Sequence, residues 1–203
     1  VYIGGHMKIF LVRHGETDWN LKGKIQGNTD IELNKTGIKQ AYELSNKMLE
    51  KNYKFSKIYS SPQKRALQTA KILSENTDIE CIVVDKLKEM NLGKWEGLAW
   101  SEVRENYPLE YKEWFVKRRY TRTPNGESYE EMLERVLDSL YKIINDNSDN
   151  IVIVTHSAVI MSLQCYITNT DFDKMTKFRT DNASILEIDS DLLIKLKESN
   201  LRN

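Results

Sequence analysis

The stretch that most constrains this chain is Ile9-Phe10-Leu11-Val12, which stops abruptly at Arg13-His14-Gly15-Glu16-Thr17. A short apolar run ending in glycine and polar residues reads as a buried strand that feeds a loop. In an open α/β sheet, ligands bind in the crevice at the carboxyl ends of the strands. An arginine and a histidine delivered there, beside a glycine that lets the backbone approach closely, suit an anionic ligand.

Similar strand ends recur along the chain. Phe55 to Tyr59 reads as a second buried strand, and it runs into Ser60-Ser61-Pro62-Gln63-Lys64-Arg65. Ser61 and Pro62 look like a hydroxyl N-cap and a proline at the first helical position. Lys64 and Arg65 then fall in the first turn, where cations oppose the helix dipole. An anion held between Arg65 and the helix N-terminus resolves that conflict; a salt bridge to a surface glutamate is the plainer alternative. Glu80 to Val84 is a third, short strand, leading to a loop that contains Glu89 and Trp95. On residues alone, Glu89 is a solvated loop carboxylate, and Trp95 is a packing residue. Ile151 to Val154 is a buried strand that delivers Thr155-His156-Ser157-Ala158. A histidine so placed is either a satisfied structural group or a site residue.

Between the strands, apolar spacing predicts helices over 36–51, 127–146 and 159–167. Residues 99–124 read as helical and heavily charged. Lys117, Arg118, Arg119 and Arg122 form a basic cluster there, either a receptor for a second anionic group or a solvated face. The segments 182–188 and 192–196 read as a hairpin around Ser190-Asp191 that finishes the sheet. Strands alternating with helices predict an α/β fold, and no linker or repeat divides the chain. Residues 7–203 are therefore expected to be a single domain. Val1 to His6 reads as a remnant ahead of a native start at Met7, which leaves His14 and His156 as the native histidines.

Charge narrows the partners. Lysine plus arginine equals aspartate plus glutamate at 30 each, whereas a nucleic-acid binder usually carries a basic excess. Any anion site must be a local concentration of positive charge. No apolar run reaches the roughly 18–20 residues of a membrane span, and no signal peptide is visible. Cys81 and Cys165 fit no disulfide or metal spacing. They read as small core thiols in a reducing cytoplasm.

Several of these stretches share one further property. Arg13-His14-Gly15-Glu16-Thr17 with Asn20, Gln26-Gly27-x-x-Asp30, Leu33-x-x-x-Gly37, Ser61-Pro62-x-x-Arg65-Ala66-x-x-Thr69-Ala70, Leu87-x-Glu89-x-x-x-Gly93-x-Trp95-Glu96-Gly97 and Thr155-His156 follow one another. Together they resemble the histidine phosphatase superfamily, also called the phosphoglycerate mutase-like family, from Met7 to about Ile188. The resemblance implies a three-layer α/β/α sandwich around a mostly parallel sheet. It implies His14 as the nucleophile that carries the phosphoryl group, Glu89 as general acid, and Arg13, Arg65 and His156 as the groups around the phosphate. Asn20, Gln26, Gly27 and Ser157 are implied to line the phosphate and substrate pocket. Asn20 and Gln26 donate amide hydrogen bonds there, or else close turns on their own backbone. Ser157 and Ala158 depart from the glycines usual after the second histidine, and Glu127 receives no role.

The implied reaction is a double displacement without metal or other cofactor on a small phosphate ester. Its chain length and Trp-Glu-Gly acid loop resemble the phosphatase branch. A cofactor-dependent phosphoglycerate mutase is the alternative, and a non-catalytic phospholigand-binding protein is a third reading. Neither nucleic acid nor membrane is an expected partner, and the expected location is the cytoplasm.

Overall fold

A computed structural model describes residues 7–201; Val1 to His6 lie outside the described residues. Five strands build one sheet: β1 (Lys8–Arg13), β2 (Lys57–Ser60), β3 (Cys81–Val83), β4 (Ile151–Thr155) and β5 (Ile185–Asp189). Their order is β3-β2-β4-β1-β5. All neighbours are parallel except β5, which runs antiparallel to β1. Register matches Ile9 with Ile151 and Arg13 with Thr155, so β1 and β4 end at the same level.

Side chains alternate across the pleat, and the apolar runs are buried on both faces, as parallel strands require. Ile9, Leu11, Ile151 and Ile153 face one core; Phe10, Val12, Val152 and Val154 face the other. The helices divide accordingly. α1 (Asp18–Leu21) is a single turn after β1. α2 (Lys35–Glu50) and α3 (Lys64–Thr77) contribute Leu44, Met48, Ala66, Ala70 and Leu73 to the second core. α4 (Trp100–Asn106), α5 (Pro108–Val116), α6 (Tyr129–Asn145) and α7 (Ser157–Ile167) pack their buried residues on the first. α8 (Ser190–Leu201) joins them through Leu193. The three-layer α/β/α sandwich expected from the sequence is the fold.

Four readings of the sequence need correction. The C-terminal hairpin is absent: β5 runs straight into α8, and Asp191 sits in that helix's first turn, where a negative charge suits the dipole. The run Leu192-Leu193-Ile194-Lys195-Leu196 satisfies strand and helix spacing alike over so short a window, and burial of Leu193 selects the helix. Residues 99–124 are not continuous helix. α4 ends at Asn106, Pro108 opens α5, and the chain is irregular from Lys117 to Ser128 apart from turns. Helix α3 begins at Lys64 with Gln63 as its cap, so Ser61 and Pro62 precede it. Finally, Cys165 is buried but Cys81 is only partly so, because β3 is an edge strand.

Candidate active site

The carboxyl ends of β1, β2 and β4 lie side by side at the centre of the sheet, and backbone bonds lock their loops together. His14 N–H donates to the Thr155 carbonyl at 3.1 Å, and Ser61 N–H donates to that of Val154 at 3.1 Å. His14 is 2% exposed. Its Nδ1 lies 2.7 Å from the Gly15 carbonyl oxygen. A carbonyl only accepts, so the proton sits on Nδ1 and the lone pair on Nε2. Burial, then Arg65 and Arg13, push the His14 pKa well below its ordinary 6.5. The imidazole is neutral, with one nitrogen free to attack.

The glycine after it has a packing reason. A Cβ on Gly15 would meet the Gly37 carbonyl at 2.5 Å, and a Cβ on Gly37 would meet the Glu16 carbonyl at 2.1 Å. The His14 loop therefore lies directly on the first turn of α2, backbone to backbone. Asn34 caps that helix by accepting from Gly37 N–H at 2.8 Å. Gly37→Ala is expected to cost about 1–3 kcal/mol of stability, the usual penalty of overpacking. A denaturant unfolding curve with an unchanged midpoint would contradict this contact.

Arg65, in the first turn of α3, has no exposed surface. Its two terminal nitrogens donate to the Thr29 and Gly27 carbonyls, each at 2.8 Å. Burial pulls its pKa down to about 10 while Glu89 and Asp30 oppose the fall, so it stays charged at neutral pH. Thr69, one turn on, returns its hydroxyl to the Arg65 carbonyl at 2.8 Å and accepts from Gly15 N–H at 3.1 Å. Gly27 adopts φ +51°, and a Cβ there would strike the Glu96 carboxylate at 2.3 Å. Its carbonyl also accepts from the Gln63 amide at 3.0 Å. Gln63 has a second task that the sequence did not advertise: its Oε1 accepts from Glu89 N–H at 2.7 Å.

Arg13 donates from one terminal nitrogen to the Thr180 carbonyl, and burial lowers its pKa. His156 is fully buried, its ring 5.3 Å from that of His14 and tilted by 57°. Its Nε2 lies 2.8 Å from Ser61 Oγ. The buried side-chain atoms without a protein partner include Arg13 Nε, Arg65 Nε and His156 Nδ1.

Glu89 accepts from Met90 N–H at 2.9 Å and from Ala158 N–H at 3.2 Å. Burial raises its pKa above the ordinary 4.5, although those two bonds and Arg65 and Arg13 pull the other way. Its loop is clamped from behind by Arg135 of α6. That guanidinium donates to the carbonyls of Lys86 and Lys88 at 2.8 Å and of Glu89 at 2.9 Å. It also pairs with Glu127 at 2.6 Å. Glu127, which had no role in the sequence, accepts from Asn91 N–H at 2.8 Å and so holds the same loop.

A cavity of about 370 Å³ opens beside these groups; its lining includes Arg13, His14, Arg65 and Glu89, with Asn20, Gln26, Gly27 and Ser157, whereas His156 is not part of the lining and packs next to the His14 ring. Both amides lie on the cavity wall; Asn20 also closes its own turn, whereas Gln26 bonds the Thr17 side chain and not its own backbone. Asn20 Oδ1 accepts from Thr17 N–H at 3.1 Å and Gln26 Oε1 accepts from the Thr17 hydroxyl at 2.9 Å. Their oxygens are thus committed to the scaffold, and the NH₂ ends remain for the pocket. Ser157 opens α7 at the pocket edge. The absence of glycine there does not keep the helix terminus away, since Ala158 N–H reaches Glu89.

The basic cluster divides. Arg119 pairs with Glu130 and Arg122 with Glu131, whereas Arg118 lines the cavity and lies 4.6 Å over the Trp114 ring. Sequence reasoning missed Arg179, which also lines the cavity, and the aromatic wall of Trp100, Tyr111, Trp114 and Tyr129. Aromatic spacing through 100–114 was a readable signal for that wall; nothing local marked Arg179. Trp95 is fully buried in the core, as expected. Among the described residues, no three His, Cys, Asp or Glu side chains form a metal-binding group, and no helix is long and apolar enough to cross a membrane.

The chain is 32% identical to phosphoserine phosphatase 1 of Hydrogenobacter thermophilus, over 88% of this chain and 84% of that one. It is 36% identical to a metal-independent phosphoserine phosphatase of Arabidopsis thaliana, over 79% and 68%. A solved phosphoserine phosphatase from Entamoeba histolytica, in complex with 3-phosphoglyceric acid, superposes with a TM-score of 0.77 at 34% identity, covering 89% of each chain. The sequence profile of the histidine phosphatase superfamily (branch 1) matches residues 9–192, and the chain belongs to that family.

Proposed function

We propose that this chain is a metal-independent phosphomonoesterase that works through a phosphohistidine at His14 on small phosphorylated metabolites. The observation that carries the reading is the set of buried donors without protein acceptors, at Arg13, Arg65 and His156, around an imidazole whose Nε2 is free. A buried donor left unpaired costs about 1–3 kcal/mol. Three around one histidine make sense when a tetrahedral dianion supplies the acceptors.

His14 Nε2 attacks phosphorus as the ester P–O bond breaks, and Glu89 gives its proton to the departing oxygen. The phosphorylated imidazole keeps its Nδ1 proton on the Gly15 carbonyl and is a good leaving group. Glu89, now a carboxylate, takes a proton from water, which attacks phosphorus and frees phosphate and His14. Negative charge spreads over the three equatorial oxygens during both transfers. Arg13, Arg65 and His156 meet it with forked and charge-assisted hydrogen bonds, joined by the amides of Asn20 and Gln26. The names of the relatives support hydrolysis over phosphoryl return to substrate.

Arg118 supplies the substrate preference. Its Nε is buried without a partner, and with Arg179 it adds positive charge beyond what the phosphate uses. The alcohol portion therefore carries a second anion, such as a carboxylate. Both cysteines are free, which supports a cytoplasmic enzyme.

The test is phosphate release, in EDTA, from esters with and without a carboxylate, with mutase turnover of 3-phosphoglycerate followed in parallel. Hydrolysis favouring carboxylated esters is expected. In Arg118→Ala, KM for those esters rises about 10–100-fold, the worth of one charged hydrogen bond, while p-nitrophenyl phosphate is little affected. Mutase turnover without hydrolysis would overturn the phosphatase reading, and an equal loss on both ester types would overturn the role of Arg118.

A further inference from the structure

Ser61 and His156 stand 95 positions apart, at the ends of β2 and β4, and both have no exposed surface. Their side chains meet at 2.8 Å, Oγ to Nε2. Ser61 Oγ also accepts from Gln63 N–H at 3.3 Å. With that approach to Oγ taken by a donor, the hydroxyl proton is free to go to His156 Nε2. A neutral imidazole that accepts at Nε2 carries its own proton on Nδ1. His156 Nδ1 is buried with no protein acceptor, in a ring whose centre lies 5.3 Å from that of His14.

We propose that Ser61 is a positioning residue: its hydroxyl donates to His156 Nε2 and so fixes the tautomer whose Nδ1–H is presented to the phosphoryl group. This rests on the phosphatase reading for its catalytic consequence, though not for the tautomer itself. The choice of partner has a physical reason. A carboxylate behind His156 would draw it toward imidazolium and place a negative charge next to a site that receives a dianion. A hydroxyl orients the ring and adds no charge. Burial, with Arg65 and His14, already holds His156 well below its ordinary pKa of 6.5, so it is neutral until an anion arrives. The serine that looked like a helix cap is free for this task because Gln63 takes the cap position.

The test uses the full chain with ¹⁵N-labelled histidine, assigned by comparison with His156→Gln. In the intact protein His156 is expected to show a protonated Nδ1 and an unprotonated Nε2, and inorganic phosphate is expected to shift the Nδ1 resonance. In Ser61→Ala the ring becomes a mixture of tautomers, and kcat falls about 10–100-fold, short of the ~10²–10³ typical of deleting a donor outright. KM changes far less, and Ser61→Thr restores both the tautomer and kcat. A His156 protonated on Nε2 in the intact protein overturns the proposal, whether or not any variant folds. So does a Ser61→Ala protein with unchanged tautomer and kcat. An intact protein with the Nδ1–H signature but no phosphatase activity would defeat the proposed function while upholding the Ser61 assignment.

Discussion

Replacing His14 by alanine is expected to lower phosphate release by about 10⁴–10⁶-fold, the scale seen when a nucleophile is removed from a constellation that acts as a unit. The expectation follows from the tautomer. With Nδ1–H held by the Gly15 carbonyl at 2.7 Å, Nε2 carries the lone pair, and burial beside two arginines keeps it unprotonated. The anion site survives the change, because Arg13, Arg65 and His156 do not depend on the His14 ring for their positions. His14→Ala is therefore expected to bind inorganic phosphate within a few-fold of the intact protein. Calorimetric titration and a hydrolysis assay read the two effects separately. A variant that still hydrolyses esters would mean that His14 is not the nucleophile.

Glu89→Gln should separate esters by leaving group. An alkoxide must be protonated as it departs, so hydrolysis of an alkyl phosphate falls about 10²–10⁴-fold without the acid. p-Nitrophenolate leaves without a proton, and formation of the phosphoenzyme from its ester is expected to change little. The pH dependence carries the same signature. Activity on alkyl phosphates requires neutral His14, whose pKa burial and the two arginines hold well below 6.5, so the rate rises as pH climbs through that lowered pKa. It also requires protonated Glu89, whose pKa lies above 4.5, so the rate falls as pH climbs past it. In Glu89→Gln the second limb disappears. Taking the ratio of intact to variant rates removes the substrate's own ionisation. An equal loss in the rate of phosphoenzyme formation from both ester types, with both limbs intact, would reassign the acid.

What could be read from the sequence was whatever sits at strand ends. Apolar runs such as Ile151 to Val154 mark buried strands, and the polar residues that break off after them are where a doubly covered sheet exposes its ligand crevice. His14, Arg65 and His156 were legible for that reason, and Arg65 also because a cation in a first helical turn is locally unfavourable. Glu89 was not legible from its own surroundings in the chain; only the resemblance singled it out. The structure shows the missing physics. Burial raises its pKa, and the groups holding its loop, Gln63, Glu127 and Arg135, come from three other segments.

The errors have a common cause. Ser61-Pro62 has the chemistry of a helix start, yet the hydroxyl is used 95 positions away on His156, a contact no local window contains. Residues 192–196 satisfy two periodicities at once, and only packing of Leu193 decides between them. Arg179 follows a 3₁₀ segment, Phe172–Phe178, in a polar stretch with no pattern of its own. Its place beside the cavity is a property of the tertiary fold.

The most direct measurement is to quench turnover within milliseconds, digest at alkaline pH and map phosphate by mass spectrometry. A single acid-labile, alkali-stable phosphoryl group is expected on His14, formed as fast as the alcohol is released and lost at the rate of steady-state hydrolysis. This species is expected to accumulate in Glu89→Gln with p-nitrophenyl phosphate, where water lacks its base. Steady hydrolysis with no phosphoryl group on His14 at any time, or with the group on another residue, would contradict that expectation.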